Sequence, residues 1–270
     1  MSELEDKPKR APRRILAGFG SAGDEIQTLD AALALARALH AEIAGHFIEE
    51  AGLINMASLP FTRIVRSHGR AVKDVGASDM EREITEAGRA WRRRLAAGAR
   101  RHQLSYSFAV TRGDYCIELK KAASPRDIVI VNPENVFKNR RAALLSALGA
   151  AEEAAGAVLI PRRAFQSVGP VVLIASEGAP SDTALQLVEE IAKAENRKVV
   201  IITPGGTTTA DEEGLETLPF NQTDVVRAVD AINALYPSYL VWQQGPSPEL
   251  NDELLPLLDA TDGPLLILKG

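Results

Sequence analysis

The feature that most constrains the fold of this chain is a strand, helix and strand unit that occurs twice. Residues 14–48 read "RILAGFGSAGDEIQTLDAALALARALHAEIAGHFI", and residues 170–203 read "PVVLIASEGAPSDTALQLVEEIAKAENRKVVIIT". In both, an apolar run is followed by a turn of small residues, an amphipathic helix and a second apolar run. Because continuously apolar strands are typical of parallel sheets buried on both faces, the repeat predicts an α/β fold with helices on each side of the sheet.

Both repeats continue in the same order, with a third strand, a helix and two more apolar strands. The last two strands are predicted at 128–131 and 157–160 in the first repeat, and at 239–242 and 264–268 in the second. The chain is therefore predicted to be a tandem of two α/β domains. We expect a basic flexible tail at 1–13, a first domain at 14–163 and a shorter second domain at 164–270.

The first repeat carries an insertion of about 50 residues between its second and third strands that the second repeat lacks. It contains the apolar stretch "GLINMASLPFTRIV", interpreted as a loop, and a long helix predicted over 79–102. Residues 53–65 of this loop either line the core or form an exposed contact surface. One stripe of the helix recurs at helical spacing and is expected to face the core; its members are Ile84, Ala87, Trp91, Leu95 and Ala99.

Composition excludes several classes of function. The one cysteine, Cys116, excludes an internal disulfide and any metal site built from several cysteines, and we expect its thiol to be buried and inert. The four histidines show no metal-binding spacing, so no metal is expected. No apolar run approaches the roughly 18–20 residues that span a bilayer, and no signal peptide begins the chain. We therefore expect a cytoplasmic protein without a membrane partner.

Charge is distributed unevenly along the chain. Residues 1–163 carry 26 Lys/Arg against 20 Asp/Glu, whereas residues 164–270 carry 5 against 16. The basic residues of the first half, many of them on the long helix, are compatible with nucleic acid or an acidic partner. A solvated helix face explains them more simply, because glutamates begin the same helix and no aromatic residues are interleaved.

The repeat of five strands, with the turn "FGS" after the first strand, resembles tandem proteins of the universal stress protein (Usp) family. The stretch "HFIEEAGLINMASLPFTRIVRSHG" is similar to a segment of one proteobacterial group within that family. The resemblance implies two Rossmann-like, open, parallel five-stranded sheets flanked by helices. It also implies that the two domains pack as an internal pseudo-dimer through their last strands.

The resemblance also indicates where a nucleotide would bind. Nucleotide-binding members carry an Asp at the end of the first strand, in a V-D-G-S type sequence. Here Gly20 and Ser21 match the Gly-Ser, but Phe19 stands in the place of the Asp. In the second repeat Glu177 and Gly178 stand at the Asp-Gly, so a longer carboxylate is the candidate ligand there.

The same members carry a G-x-x-G-x9-G-[ST] loop after the fourth strand, whose glycines let backbone N–H groups approach the phosphates. The first repeat has no glycine before Gly149 in this loop, and the second has only Gly245. A separate stretch, "TPGGTTT", contains Gly205 and Gly206 and is either an anion-binding nest or a flexible connection. We favour the connection, because no Lys or Arg accompanies it.

These observations predict a non-enzymatic stress-response or regulatory protein that acts through protein contacts and has degenerate nucleotide sites. No catalytic residues and no cofactor are assigned, and a protein partner or self-association is expected. One alternative is an ATP-binding member of the family with weak or no hydrolysis, using the candidate residues Gly20, Ser21, Glu177, Gly178, Gly205 and Gly206. Another is a binder of nucleic acid or an acidic partner that uses the basic first half, and a small-molecule ligand is left open.

Overall fold

A computed structural model describes residues 13–20, 26–57, 63–64, 73–74, 77–131, 155–161, 168–175, 179–204, 209–210, 215–220, 230, 232–243 and 263–268. The helices within these residues are α1 (Ile26–Ala38), α2 (Ala51–Ala57), α3 (Ala77–Arg101), α4 (Tyr115–Ala122) and α5 (Asp182–Glu195). The strands are β1 (Arg14–Gly20), β2 (Glu42–Glu50), β3 (Arg63–Ile64), β4 (Lys73–Asp74), β5 (Tyr106–Gly113), β6 (Asp127–Ile130), β7 (Ala157–Ile160), β8 (Val171–Ala175), β9 (Val199–Pro204), β10 (Thr209–Ala210), β11 (Leu215–Phe220), β12 (Tyr239–Gln243) and β13 (Leu265–Leu268).

Eleven of these strands form one sheet in the order β10-β11-β9-β8-β12-β13-β7-β6-β1-β2-β5. Neighbouring strands are parallel except at two places, β10 with β11 and β13 with β7. In the first half β1 lies between β2 and β6, and in the second half β8 lies between β9 and β12. The predicted α/β class, with a mostly parallel sheet flanked by helices, is confirmed.

The two halves of the sheet meet where β7 and β13 pair antiparallel. Leu159 lies opposite Leu266 and Ile160 opposite Leu265, and every residue of both strands is buried. On one face of the sheet α1 packs beside α5, so helices of the two halves also contact each other. Arg13 Nη1 donates to Glu190 Oε2 across this junction (2.9 Å). Within the expected tail of 1–13, Arg13 is therefore anchored; residues 1–12 lie outside the described residues.

Each face of the sheet carries its own hydrophobic core. One core lies under α1, α3 and α5, and the other lies on the side of α4. The predicted stripe of the long helix faces the first core, with Ile84, Trp91, Leu95 and Ala99 buried and Ala87 partly buried against it. Because α1 presents Ala31, Ala32 and Ala36 to the sheet, its backbone can approach the strands closely.

The structure corrects three local predictions. The start of the apolar insertion, predicted as a loop, is helix α2 over Ala51–Ala57. The stretch "TPGGTTT" is not connection throughout, since β9 continues to Pro204 and Thr209 belongs to β10. Cys116, expected to be buried, is half-buried on α4. Among the described residues no helix is both long enough and apolar enough to cross a membrane.

A partly buried ion pair fixes the start of the sheet. Arg14 at the beginning of β1 donates from Nε to Asp127 Oδ1 (3.0 Å) and from Nη2 to Asp127 Oδ2 and to the carbonyl of Ala122 (3.0 Å). The backbone N–H of Ser124 also donates to the Asp127 carboxylate (2.8 Å). The hydrogen bonds to Asp127 raise the pKa of Arg14, and the bonds from Arg14 and Ser124 satisfy a carboxylate that is only 2% exposed. The pair therefore links β1, β6 and the end of α4.

Candidate functional site

In open α/β sheets, ligands bind beyond the carboxyl ends of the strands, where the strand order reverses. In this sheet the order reverses between β1 and β6 in the first half and between β8 and β12 in the second. Gly20 is the last residue of β1 and so lies at the first of these points, whereas Ser21 lies outside the described residues. The candidate sites are therefore the carboxyl ends of these two strand pairs.

In the first half, an aromatic cluster fills one face of the sheet near this point. Phe19 is fully buried, and its ring stacks on Trp91 of α3, with 5.1 Å between centroids and 13° between planes. The Phe108 ring of β5 lies 6.4 Å from the Phe19 ring at 24°. Arg94 covers the indole from outside, with its guanidinium carbon 4.7 Å from the ring centroid. The position that the resemblance assigns to an Asp is thus occupied by apolar packing.

The first glycine of "GFG" has a packing role on the opposite face. A Cβ at Gly18 would overlap with the hydroxyl of Tyr115 and would lie 3.0 Å from Leu119 Cδ2, both on α4. Gly18 therefore lets α4 approach β1 closely. This requirement explains a glycine before Phe19 without any ligand.

A polar contact beside this glycine has no signal in the sequence. His46 of β2, opposite Gly18 in the strand register, shares a hydrogen bond of 2.8 Å between its Nε2 and Thr111 Oγ1 of β5. Burial lowers the pKa of His46, while Glu118 on α4 partly opposes the shift and Arg14 adds to it. A scattered histidine in an apolar strand does not indicate a hydroxyl partner 65 residues later, because only the β2 and β5 register brings them together.

In the second half, a side-chain amide occupies the point where the strand order reverses. Gln243 at the end of β12 accepts through Oε1 from the backbone N–H of Ser181 (2.9 Å). Ser181 is the N-cap of α5, and its hydroxyl accepts from the N–H of Ala184 (3.2 Å). Asp182 adds a carboxylate to the first turn of the helix. These groups already use two of the N–H donors at this helix start, and Asp182 offsets part of the positive potential that an anionic ligand would need.

The remaining candidate residues from the sequence lie outside the part of the chain that the structure describes. Glu177 and Gly178 precede Ser181 and lie outside the described residues, as do Gly205 and Gly206. The last two are flanked by β9 and by β10, which pairs with β11 at the far edge of the sheet. Within the residues that are described, no three His, Cys, Asp or Glu side chains come together in a group that could hold a metal ion.

A second polar group, also without a sequence signal, lies at the opposite end of the strands. Tyr239 is the first residue of β12, is 1% exposed and interacts electrostatically with Glu195 at the end of α5. Burial raises the pKa of both groups, and Arg197 and Arg37 partly oppose the shift at Glu195. Because Arg37 comes from α1 and the other residues from the second half, this group belongs to the junction between the halves.

Comparison with known proteins gives a fold. No protein-family profile matches the sequence, and no curated protein sequence matches it either. A universal stress protein from Archaeoglobus fulgidus has a similar structure, with a TM-score of 0.59 and 14% identity over 95% of this chain and 96% of that one. A putative universal stress protein from Pseudomonas aeruginosa is also similar, with a TM-score of 0.54 and 14% identity over 96% of this chain and 94% of that one. A functionally unknown protein from the same species has a TM-score of 0.53 and 13% identity over 96% of this chain and 93% of that one. The chain therefore has the universal stress protein fold.

Proposed function

We propose that this chain is a tandem universal-stress-type protein that acts in a stress response as a non-enzymatic regulatory module. It works through contacts with other proteins, and its nucleotide sites are degenerate. The observation that carries the proposal is the burial of Phe19 in a stack with Trp91 and Phe108. A polar adenosine group placed there would lose its bonds to water and gain none from the aromatic rings.

The second half supports the same conclusion by a different route. Gln243 and Ser181 take up backbone and side-chain hydrogen bonds at the point where a ligand would bind, and Asp182 puts a negative charge at the helix start. An ATP phosphate would have to displace the amide and meet the carboxylate. Both features disfavour anion binding, since a helix N-terminus attracts anions only while its potential is not already used.

The tandem arrangement is part of the proposal. We infer that residues 14–163 and 164–270 are two domains that pack as an internal pseudo-dimer. The antiparallel pairing of β7 with β13 and the ion pair of Arg13 with Glu190 support this arrangement. The strands β1 and β8 also occupy equivalent places in the sheet, each between two parallel neighbours, and this equivalence further supports the tandem arrangement.

The contact surface is proposed to include the apolar insertion, residues 53–65. In its described part, Ile54 packs against the core, whereas Met56 is 53% exposed on α2. The stretch therefore has one side anchored and one apolar side open to solvent. Residues 58–62 and 65 lie outside the described residues.

Calorimetric titration of nucleotide-stripped protein with ATP and Mg²⁺ tests the degenerate sites. We expect no saturable heat at ATP concentrations above a millimolar. Saturable binding at micromolar ATP would overturn this part of the proposal and favour an ATP-binding protein. In that case Glu177→Ala, Gly178→Ala and a Gly205→Ala/Gly206→Ala variant would show which of the remaining candidates hold the nucleotide.

The contact role is tested with a matched pair of surface variants. Partners cross-linked to the full chain in cells under stress should be lost in Met56→Lys and retained in Ile117→Lys, which alters an exposed apolar side chain on α4. Equal cross-linking by both variants would exclude α2 as the contact surface.

A further inference from the structure

One edge of the sheet is open to solvent and carries no charge along most of its length. Strand β5 is the terminal strand of the eleven, and its described neighbour is β2 alone. Tyr106 and Val110 are 40% and 52% exposed, and residues 106–111, "YSFAVT", contain neither a charged residue nor a proline. Exposed edges are ordinarily protected by charges, prolines or bulges, because their free N–H and C=O groups pair with other strands.

The hydrogen-bond register shows which backbone groups of β5 point outward. Ile43 lies opposite Tyr106, and its N–H donates to the carbonyl of Ser105 (3.0 Å). In a parallel ladder a residue bonds to the neighbours of its partner, so the odd-numbered residues of β5 face β2. The outward N–H and C=O groups therefore belong to four residues, Tyr106, Phe108, Val110 and Arg112.

We propose that β5 is a self-association surface, at which a second copy of this chain pairs antiparallel about a two-fold axis through Ala109. This register places Phe108 opposite Val110, Tyr106 opposite Arg112 and Ser107 opposite Thr111. The first two are favourable cross-strand pairs, aromatic with β-branched and aromatic with cation, while the hydroxyls of Ser107 and Thr111 keep their bonds to Glu42 and His46 within each copy. All four outward residues of each copy are used, and Ala109 meets itself in the narrow pair that is not hydrogen-bonded.

The charge at the end of the strand is compatible with this pairing. Arg112 is the one charged residue of β5, and its Nε donates to Glu49 Oε2 (3.1 Å) while Nη1 donates to Glu81 Oε1 (3.4 Å). Its positive charge is therefore balanced within the chain, so two copies do not repel each other along the edge. The second copy is the partner whose chemistry the strand fits, since its outward residues pair with one another, Tyr106 with Arg112 and Phe108 with Val110.

Disulfide cross-linking in the full chain tests both the surface and the register. In a Cys116→Ser background, Ala109→Cys places two thiols at the axis, where opposed Cα atoms are about 4.5 Å apart and a disulfide can form. The control, Ser107→Cys, is also exposed and on the same strand face, but two copies of it are about 13 Å apart along the strands. We expect a covalent dimer from Ala109→Cys on mild oxidation and none from Ser107→Cys. Equal cross-linking of both, or of neither, would overturn the proposal.

Sedimentation of the unmodified chain and of two lysine variants provides a second, independent readout. We expect the wild-type chain to dimerise at micromolar concentration, with a dissociation constant at least tenfold higher in Val110→Lys. Val168→Lys, a matched change at a valine that is 76% exposed elsewhere, should leave the constant unchanged. A wild-type monomer, or a dimer that Val110→Lys does not weaken, would show that this edge is not the interface.

Discussion

The indole of Trp91 lies nearly parallel to the ring of Phe19, with 5.1 Å between their centroids. This contact joins α3, a helix of the insertion, to the first strand of the sheet. Because the second half has no equivalent insertion, its first strand is covered differently: α5 packs on one face, and Ile232 and Leu235 belong to the core on the other face. The insertion thus completes the core of the first half beside its candidate ligand site.

The stack itself contributes to stability beyond the area that it buries. A double-mutant cycle of Phe19→Leu and Trp91→Leu should give a coupling energy of about 0.5–1.5 kcal/mol, the usual range for an aromatic pair. Urea unfolding of the four proteins measures it. Additive effects would mean that the rings pack as independent apolar groups.

Phe19→Asp should be far more destabilising than Phe19→Leu, and it should not create ATP binding, because its carboxylate would be buried without a partner.

Gly169, just before β8, is predicted to be irreplaceable by any larger residue. A Cβ there would overlap with the backbone carbonyl oxygens of Tyr236 and Leu235, which cannot move as a side chain can. We expect Gly169→Ala to cost about 3 kcal/mol or more. The control is Gly52→Ala on α2, where a Cβ meets no atom within 4 Å. That change should be neutral or stabilising by up to about 1 kcal/mol, since alanine favours helix. Chemical denaturation of both variants checks the contrast.

The ion pair of Arg14 and Asp127 should contribute much more to the free energy of unfolding than a surface ion pair does. Asp127→Ala leaves the guanidinium without its two carboxylate bonds, so we expect a loss of about 3 kcal/mol. This value is the low end of the range of about 3–5 kcal/mol for removing one partner of a buried ion pair, because Arg14 is 36% exposed. Arg82→Ala removes an exposed partner of Asp79, 3.0 Å away, and should cost only about 0.2–0.5 kcal/mol. Equal losses of unfolding free energy in Asp127→Ala and Arg82→Ala would show that the pair of Arg14 and Asp127 contributes no more than a surface ion pair.

His46 is predicted to make the fold sensitive to acid. Its pKa is lowered by burial in the folded state, so below its ordinary value near 6.5 the unfolded chain binds a proton that the folded chain does not. Stability should therefore fall as the pH drops from about 7, with a slope of at most about 1.4 kcal/mol per pH unit from this residue, until the folded histidine is also protonated.

Replacing the histidine should remove this contribution. Urea titrations at several pH values should show a smaller loss of stability on acidification in His46→Gln than in the wild type. The glutamine can keep a hydrogen bond to Thr111, so its stability at pH 7.5 should be closer to the wild type than that of His46→Leu. An identical pH dependence in the wild type and His46→Gln would show that the histidine is not the group responsible.

The sequence was sufficient to predict the main strands and helices of the described residues, because their pattern depends only on local periodicity. The apolar runs that became β1, β8 and β12 were identified, as was the buried stripe of α3. Bounds differed by one or two residues, as at β13, which begins at Leu265 where 264 was predicted. The helix α2 was missed because its short apolar run, "AGLINMA", has no N-cap signal and reads equally well as a loop.

The candidate site was less predictable because its contacts join distant parts of the chain. The sequence showed Phe19 at the position where the resemblance places a carboxylate, but not that Trp91 and Phe108 lie against its ring. Gln243 reaches Ser181 across 62 residues, and no motif marks the pair. Such contacts depend on strand register and helix placement, which single-sequence patterns do not specify.

The antiparallel pairing of β7 with β13 also has a consequence during synthesis. The two strands are separated by about a hundred residues of chain, so at about 5–20 residues per second the ribosome completes β13 several seconds after β7. Until then the four apolar residues of β7 form an open edge in a nascent chain whose first half is already complete. Translation speed over the second half, and chaperones that cover nascent strand edges, should therefore influence the yield of this protein more than that of a chain whose sheet closes locally.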